Sequence, residues 1–203
     1  MTSLLSVSQG MNPLDETILA WANALSHPLF LQGMAIITYL GSSEFIILLM
    51  LITIIALIIF KRDWFNSIFI LWLTVGGIVL NFGLKILFQR ERPGEMSYIE
   101  VFGISMEIAS YSFPSGHTMR SVLLFSFFIY LSYTYLKNTS LRLASYTFCL
   151  LLIIGVFLSR VILDAHFPTD IIAAICVSIS WFFFSLYYLP KWMTKFRLTD
   201  RFR

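Results

Sequence analysis

An all-α polytopic membrane bundle, with five strong spans and an N-terminal helix that is interfacial or a sixth membrane helix, is what this sequence predicts. Three observations predict it. Of 203 residues, 58% are hydrophobic and only 12% charged, against roughly a quarter charged in a typical soluble domain. Apolar runs near spanning length succeed one another from residue 44 to residue 189. Basic residues gather between alternate runs, as they do when a chain crosses a bilayer repeatedly. The runs leave no room for a soluble core, so one domain is expected: 1–43 as N-terminal interfacial or embedded helices, 44–190 as the main bundle, and 191–203 as a basic cytoplasmic tail.

The first twelve residues carry no pattern. Asn12 and Pro13 then form a helix start, with Asn as cap, Pro in the first turn, and Asp15 and Glu16 where the helix dipole favours acids. Leu14, Ile18, Trp21, Ala22 and Leu25 recur at helical spacing before His27 and Pro28 break the run, which suits a helix lying in the interface. The apolar stretch from 29 to 40 has 12 residues, short of the roughly 20 that cross a bilayer. It is expected to be embedded. Spans are expected at about 44–60, 64–84, 118–136, 143–159 and 169–189. Lys61 and Arg62 can snorkel to extend the first, and Trp64, Tyr187, Tyr188 and Trp192 stand at span ends as an aromatic belt does.

Five alternating spans put nine of the fourteen basic residues on one side, from Lys61 and Arg62 through Lys137 and Arg142 to the tail. The positive-inside rule makes that side cytoplasmic. Lys85, Arg90, Arg92, Arg120 and Arg160 then belong to the outer face of a plasma-membrane protein. No basic stripe suits nucleic acid. No Lys or Arg precedes Lys61, so the basic start of a signal peptide is lacking and insertion is expected from the spans themselves. Cys149 and Cys176 each lie inside an apolar run and are expected to be small buried residues rather than a disulfide.

Three polar clusters meet at the outer face. Lys85 and Arg92 are seven residues apart and would share a helix face if the helix persists to Pro93. Pro114, Ser115, Gly116 and His117 open the span at 118–136, where capping serine and free backbone N–H groups suit a phosphate oxygen. A plain helix cap explains Pro-Ser-Gly equally well, but not His117. Arg160 ends the next span, and His166 stands four residues before Asp170 with Pro168 between as a helix starter. A carboxylate at Asp170 can hold one imidazole nitrogen protonated and leave the other its lone pair. Taken singly, each cluster is more simply an anchor, a cap or a satisfied histidine. Jointly, two histidines, a carboxylate and several cations on one face provide a nucleophile and the positive charge that phosphoryl transfer requires.

In order and spacing, Lys85 to Arg92 and Pro93, then Pro114 to His117, then Ser159 and Arg160 to His166 and Asp170, resemble the three-part signature of the type 2 phosphatidic acid phosphatase superfamily. The similarity extends over roughly residues 41–190. The resemblance implies a membrane lipid phosphatase acting on undecaprenyl pyrophosphate, phosphatidylglycerophosphate or phosphatidate. His166 would form a phosphohistidine, Asp170 would orient it, and His117 would protonate the departing oxygen and then help activate water. Lys85, Arg92, Ser115, Gly116 and Arg160 would hold the phosphate. No cofactor is implied. The weak N-terminal helix departs from the six membrane helices usual in bacterial members.

Other readings use the same residues. Two histidines and an aspartate can bind zinc, although three converging cations oppose a metal ion. A phosphate or lipid transporter also uses intramembrane cations, a phosphotransferase would share the histidine intermediate, and a haloperoxidase pocket is similar. Arg120 reaches a headgroup or snorkels, and the 94–113 loop, with Glu95, Glu100 and Glu107, is long enough for a lid.

Overall fold

The computed structural model describes residues 12–25, 27–93, 99–101, 104–106 and 111–199. Most of the expected 94–113 lid lies outside them, as do residues 1–11 and 200–203. Among the described residues, seven α-helices make the bundle: α1 Pro13–Asn23, α2 Pro28–Tyr39, α3 Ser43–Ala56, α4 Trp64–Phe88, α5 Gly116–Tyr135, α6 Thr139–Ile162 and α7 Pro168–Thr199. In the loop between α4 and α5, two three-residue strands, β1 Ile99–Val101 and β2 Ile104–Met106, pair antiparallel with Ile99 opposite Met106.

Most helices begin where a side chain takes up orphan N–H groups, α2 being the exception, with Pro28 in its first turn instead. Asn12 Oδ1 accepts from Leu14 N at 3.1 Å, Ser42 Oγ from Phe45 N at 3.2 Å, and Asn138 Oδ1 from Ser140 N at 2.9 Å. α3 ends in a π-helical turn, Leu57–Lys61, closed by Arg62 in the left-handed region at φ 51°.

Among the described residues, four helices are long and apolar enough to cross a membrane: α3 with its π turn, α4, α6, and α7 over Pro168–Thr194. α5 is 20 residues long but less apolar. It is also the helix that touches α3, α4, α6 and α7 alike, so its polar residues face protein, where they are tolerated. Close approach is built from small residues: a Cβ at Gly77 would stand 2.3 Å from Leu123, and one at Gly76 2.2 Å from Trp181. Phe69, Phe127 and Phe182 fill the centre.

α2 packs on α6, and α1 on α6 and α7. α1 turns only part of the face its spacing marks toward the protein: Ala22 is buried, with Ile18 and Leu25 packed beside it. Leu14 and Trp21 are exposed, whereas Asp15, Leu19 and Ala22 point inward, because the inner surface offered to α1 is the start of α7, which supplies donors as well as apolar contacts. Cys149 is buried, but Cys176 is exposed on α7; both are free.

Candidate active site

Where α4 ends, α5 begins and the α6–α7 connection turns, polar side chains converge. Lys85 stands in the last turn of α4, buried, and its ammonium donates to the Tyr111 carbonyl. The helix does not persist to Pro93. It stops at Phe88, and Gln89 adopts a left-handed conformation at φ 47°, so Lys85 and Arg92 do not share a helix face. The chain doubles back, and Arg92 reaches the Ala165 carbonyl at 3.5 Å.

Ser115 caps α5. Its buried hydroxyl accepts from Thr118 N at 3.4 Å and from Thr118 Oγ1 at 3.0 Å. Gly116 follows where a Cβ would stand 3.1 Å from Asn81 Oδ1 and 3.2 Å from an Arg120 nitrogen. Arg120 does not snorkel: its Nε donates to the Gly41 carbonyl at 3.1 Å and a terminal nitrogen lies 3.4 Å from His117 Nδ1. Arg160, Arg120 and Arg92 stand near enough to His117 to act on its charge. Arg160 donates from one terminal nitrogen to Thr38 Oγ1 at 2.9 Å, while its Nε is buried without a hydrogen-bond partner.

His166 is 1% exposed. Its Nδ1 lies 3.3 Å from Ser112 Oγ and 3.7 Å from Asp170 Oδ2. The expected direct hydrogen bond to Asp170 is therefore replaced by a bridge. Ser112 donates its one hydroxyl proton to Asp170 Oδ2, so its contact with Nδ1 requires that Nδ1 carry hydrogen and donate. Nε2 is the ring nitrogen left with a lone pair. Burial, followed by the charges of Arg160, Arg92 and Lys85, holds His166 well below the usual histidine range, so the ring is neutral at pH 7.

Asp170 accepts from Arg90 at 2.7 Å and from Phe167 N at 3.0 Å, the second bond capping α7. Arg90 stacks over the Phe167 ring at 4.0 Å and also donates to Thr169 Oγ1 at 2.7 Å and to Asp15 at 2.8 Å. Asp15 takes two further donors from Thr169, its N at 3.0 Å and its hydroxyl at 2.8 Å.

The predicted residues thus lie at one end of the bundle, together with others that the sequence reading passed over. Ser112, Arg90, Asp15 and Thr38 were not among the site candidates. Arg90 had a signal, a third cation between Lys85 and Arg92. Ser112 had only its nearness to Pro114, and Asp15 was indistinguishable from Glu16.

Residues 45–194 match the PAP2 superfamily, a stretch that takes in Lys85, Arg92, Ser115, Gly116, His117, Arg160, His166 and Asp170. The chain belongs to that superfamily. This PAP2 protein is 29% identical over 172 residues to phosphatidylglycerophosphatase B of Bacillus subtilis strain 168, a match covering 83% of this chain and 80% of the relative. It is similar to the crystal structure of a transmembrane PAP2 type phosphatidylglycerolphosphate phosphatase from Bacillus subtilis, with TM-score 0.73 and 25% identity over 93% of this chain and 92% of that one. LpxE of Aquifex aeolicus shares the fold at TM-score 0.64 and 21% identity, over 87% of this chain and 97% of that one. With four apolar helices of spanning length, this PAP2 chain is an integral membrane protein.

Proposed function

We propose that this protein is a lipid phosphatase that works through a phosphohistidine at His166. The observation that carries the reading is the setting of His166: buried and neutral, Nδ1 held by the Ser112–Asp170 bridge, with Lys85, Arg92 and Arg160 close enough to act on its charge. Attack by Nε2 on phosphorus places positive charge on the ring, and the Asp170 carboxylate behind Ser112 stabilises it. The cations, with Ser115 and the Gly116 backbone, take the equatorial oxygens on which transition-state charge spreads. His117 gives a proton to the departing oxygen and then takes one from the water that frees His166.

The lipid is anionic and phosphate-terminated. Phosphatidylglycerophosphate is the first choice from the relatives' names, with phosphatidate and undecaprenyl pyrophosphate as the competitors. α5 joins the four apolar helices to make five spans, with the His166 end of the bundle on the extracytoplasmic face and the basic C-terminus in the cytoplasm, a placement that the distribution of Lys and Arg supports.

Release of inorganic phosphate by detergent-solubilised protein from those three lipids tests substrate and class together. His166→Ala should abolish turnover and EDTA should leave it unchanged. Full activity in His166→Ala sinks the mechanism, and metal dependence restores the zinc reading.

A further inference from the structure

Asp15 is fully buried on a short surface helix, and it lies outside the residues that match the superfamily. A buried carboxylate on such a helix is costly unless it is matched by donors. Here it receives three hydrogen bonds, one from Arg90 and two from Thr169, the residue immediately before Asp170. Glu16, next to it in sequence, is exposed. A helix-dipole role would suit both acids equally, so the difference lies in what Asp15 touches.

Arg90 is shared. One terminal nitrogen contacts Asp15 Oδ2 at 2.8 Å and the other contacts Asp170 Oδ1 at 2.7 Å. Paired with Asp170 alone, the guanidinium would cancel the carboxylate that His166 needs behind it. Sharing leaves two carboxylates to one cation, so the cluster keeps a negative charge facing the imidazole through Ser112. The same contacts fix Arg90 and the first turn of α7, and with them the Asp170 side chain. Leu19 and Ala22 hold α1 against Val161, Ile162, Phe167 and Ile171 on either side of His166.

We propose that Asp15 is a positioning residue for the reaction at His166: it divides the charge of Arg90 and so sets the orientation and field of Asp170. The proposal rests on the phosphohistidine reading above. It says that the first helix is part of the catalytic apparatus rather than a membrane anchor alone.

The test uses the full chain reconstituted in liposomes with phosphatidylglycerophosphate and phosphatidate as substrates, and kcat is taken per folded molecule. Asp15→Asn should lower kcat on the order of 10- to 100-fold, as small misplacements of reacting groups do, with KM little changed. Glu16→Gln, which removes the same charge one residue away, should match the wild type. Asp15→Glu should recover part of the loss. Asp15→Asn combined with Arg90→Gln should be no slower than Arg90→Gln alone, because both act through one contact. If Asp15→Asn does not fold, Asp15→Ser, which keeps a small acceptor for Thr169 N, takes its place. A kcat equal to that of Glu16→Gln, or losses at Asp15 and Arg90 that multiply, overturns the proposal. His166→Ala in the same series separates the two readings: if it is dead while Asp15→Asn turns over normally, only the role of Asp15 fails, and if it is active, the phosphohistidine fails.

Discussion

The two ends of the α4–α5 pair both bury polar groups, and they do so in opposite ways. At the end away from His166, Asp63 caps α4. It accepts from Asn66 N at 3.0 Å, from Asn66 Nδ2 at 2.6 Å and from the Tyr135 hydroxyl. The carboxylate there is met by three neutral donors, and the buried polar atom without a partner among the described residues at this end is a neutral acceptor, Asn66 Oδ1. Toward the His166 end the atoms without a partner, among the described residues, are Ser121 Oγ and Arg160 Nε, the second part of a cation in a neighbourhood shared with Lys85 and Arg92. A matched cluster fastens helices together. A cluster with surplus positive charge is poised for an anion, and the difference separates structural polar burial from functional polar burial in one molecule.

Removing Arg160 is the strongest way to test that contrast. Arg160→Gln should lower kcat/KM by roughly 10²- to 10³-fold, as loss of an oriented donor to the transition state does. Its thermal midpoint in detergent should hold or rise, because an incompletely matched buried charge stabilises little. A stability loss without a rate loss would make Arg160 a fastener like Asp63.

Asp63→Ala should do the reverse. It deprives α4 of its cap and Tyr135 of its acceptor, costing about 1–2 kcal/mol of stability, with kcat per folded molecule unchanged. Denaturant unfolding beside an activity assay reads both.

Acid sharpens the contrast most gently. The folded state keeps His166 neutral where the unfolded chain's histidine, near 6.5, takes up a proton. The unfolded state therefore binds more protons below that value, and stability falls with pH, by about 1.4 kcal/mol at one unit below it. At Asp63 burial raises the carboxyl, but the hydrogen bonds from Asn66 and Tyr135 outweigh it and hold the group below its usual 3.8. Its contribution is present above that value and is lost only as pH falls further. Unfolding curves between pH 7 and 5 should show the first loss, and His166→Gln should lessen it.

The helical order of the bundle was legible because apolar runs of spanning length have few other fates. The site was legible where a rare residue recurs at fixed spacing, as with His117 and with His166 four before Asp170. It was not legible where a common residue acts through the tertiary fold. Arg90 reads as one more basic residue near a span end, and its bridge between Asp15 and Asp170 depends on α4 stopping at Phe88 through Gln89. The helical reading of 85–92 ran past that break, since nothing in Gln89 itself announces a left-handed residue. Ser112 is legible only once the loop before α5 is laid against α7. The inward face of α1 was legible in Ala22 and not in Asp15, since apolar spacing does not mark a carboxylate whose donors come from Arg90 and α7.

α5 has a consequence for how the protein is made. A 20-residue helix carrying His117 and Arg120, and less apolar than the spans around it, does not partition into hydrocarbon by itself. It is joined to α6 by only three residues, 136–138, and packs against α6 more extensively than against any other helix. On the five-span reading proposed above, α5 and α6 would enter the bilayer as a hairpin, the apolar partner carrying the polar one, and the half of the site borne by α5 would form only with its escort in place.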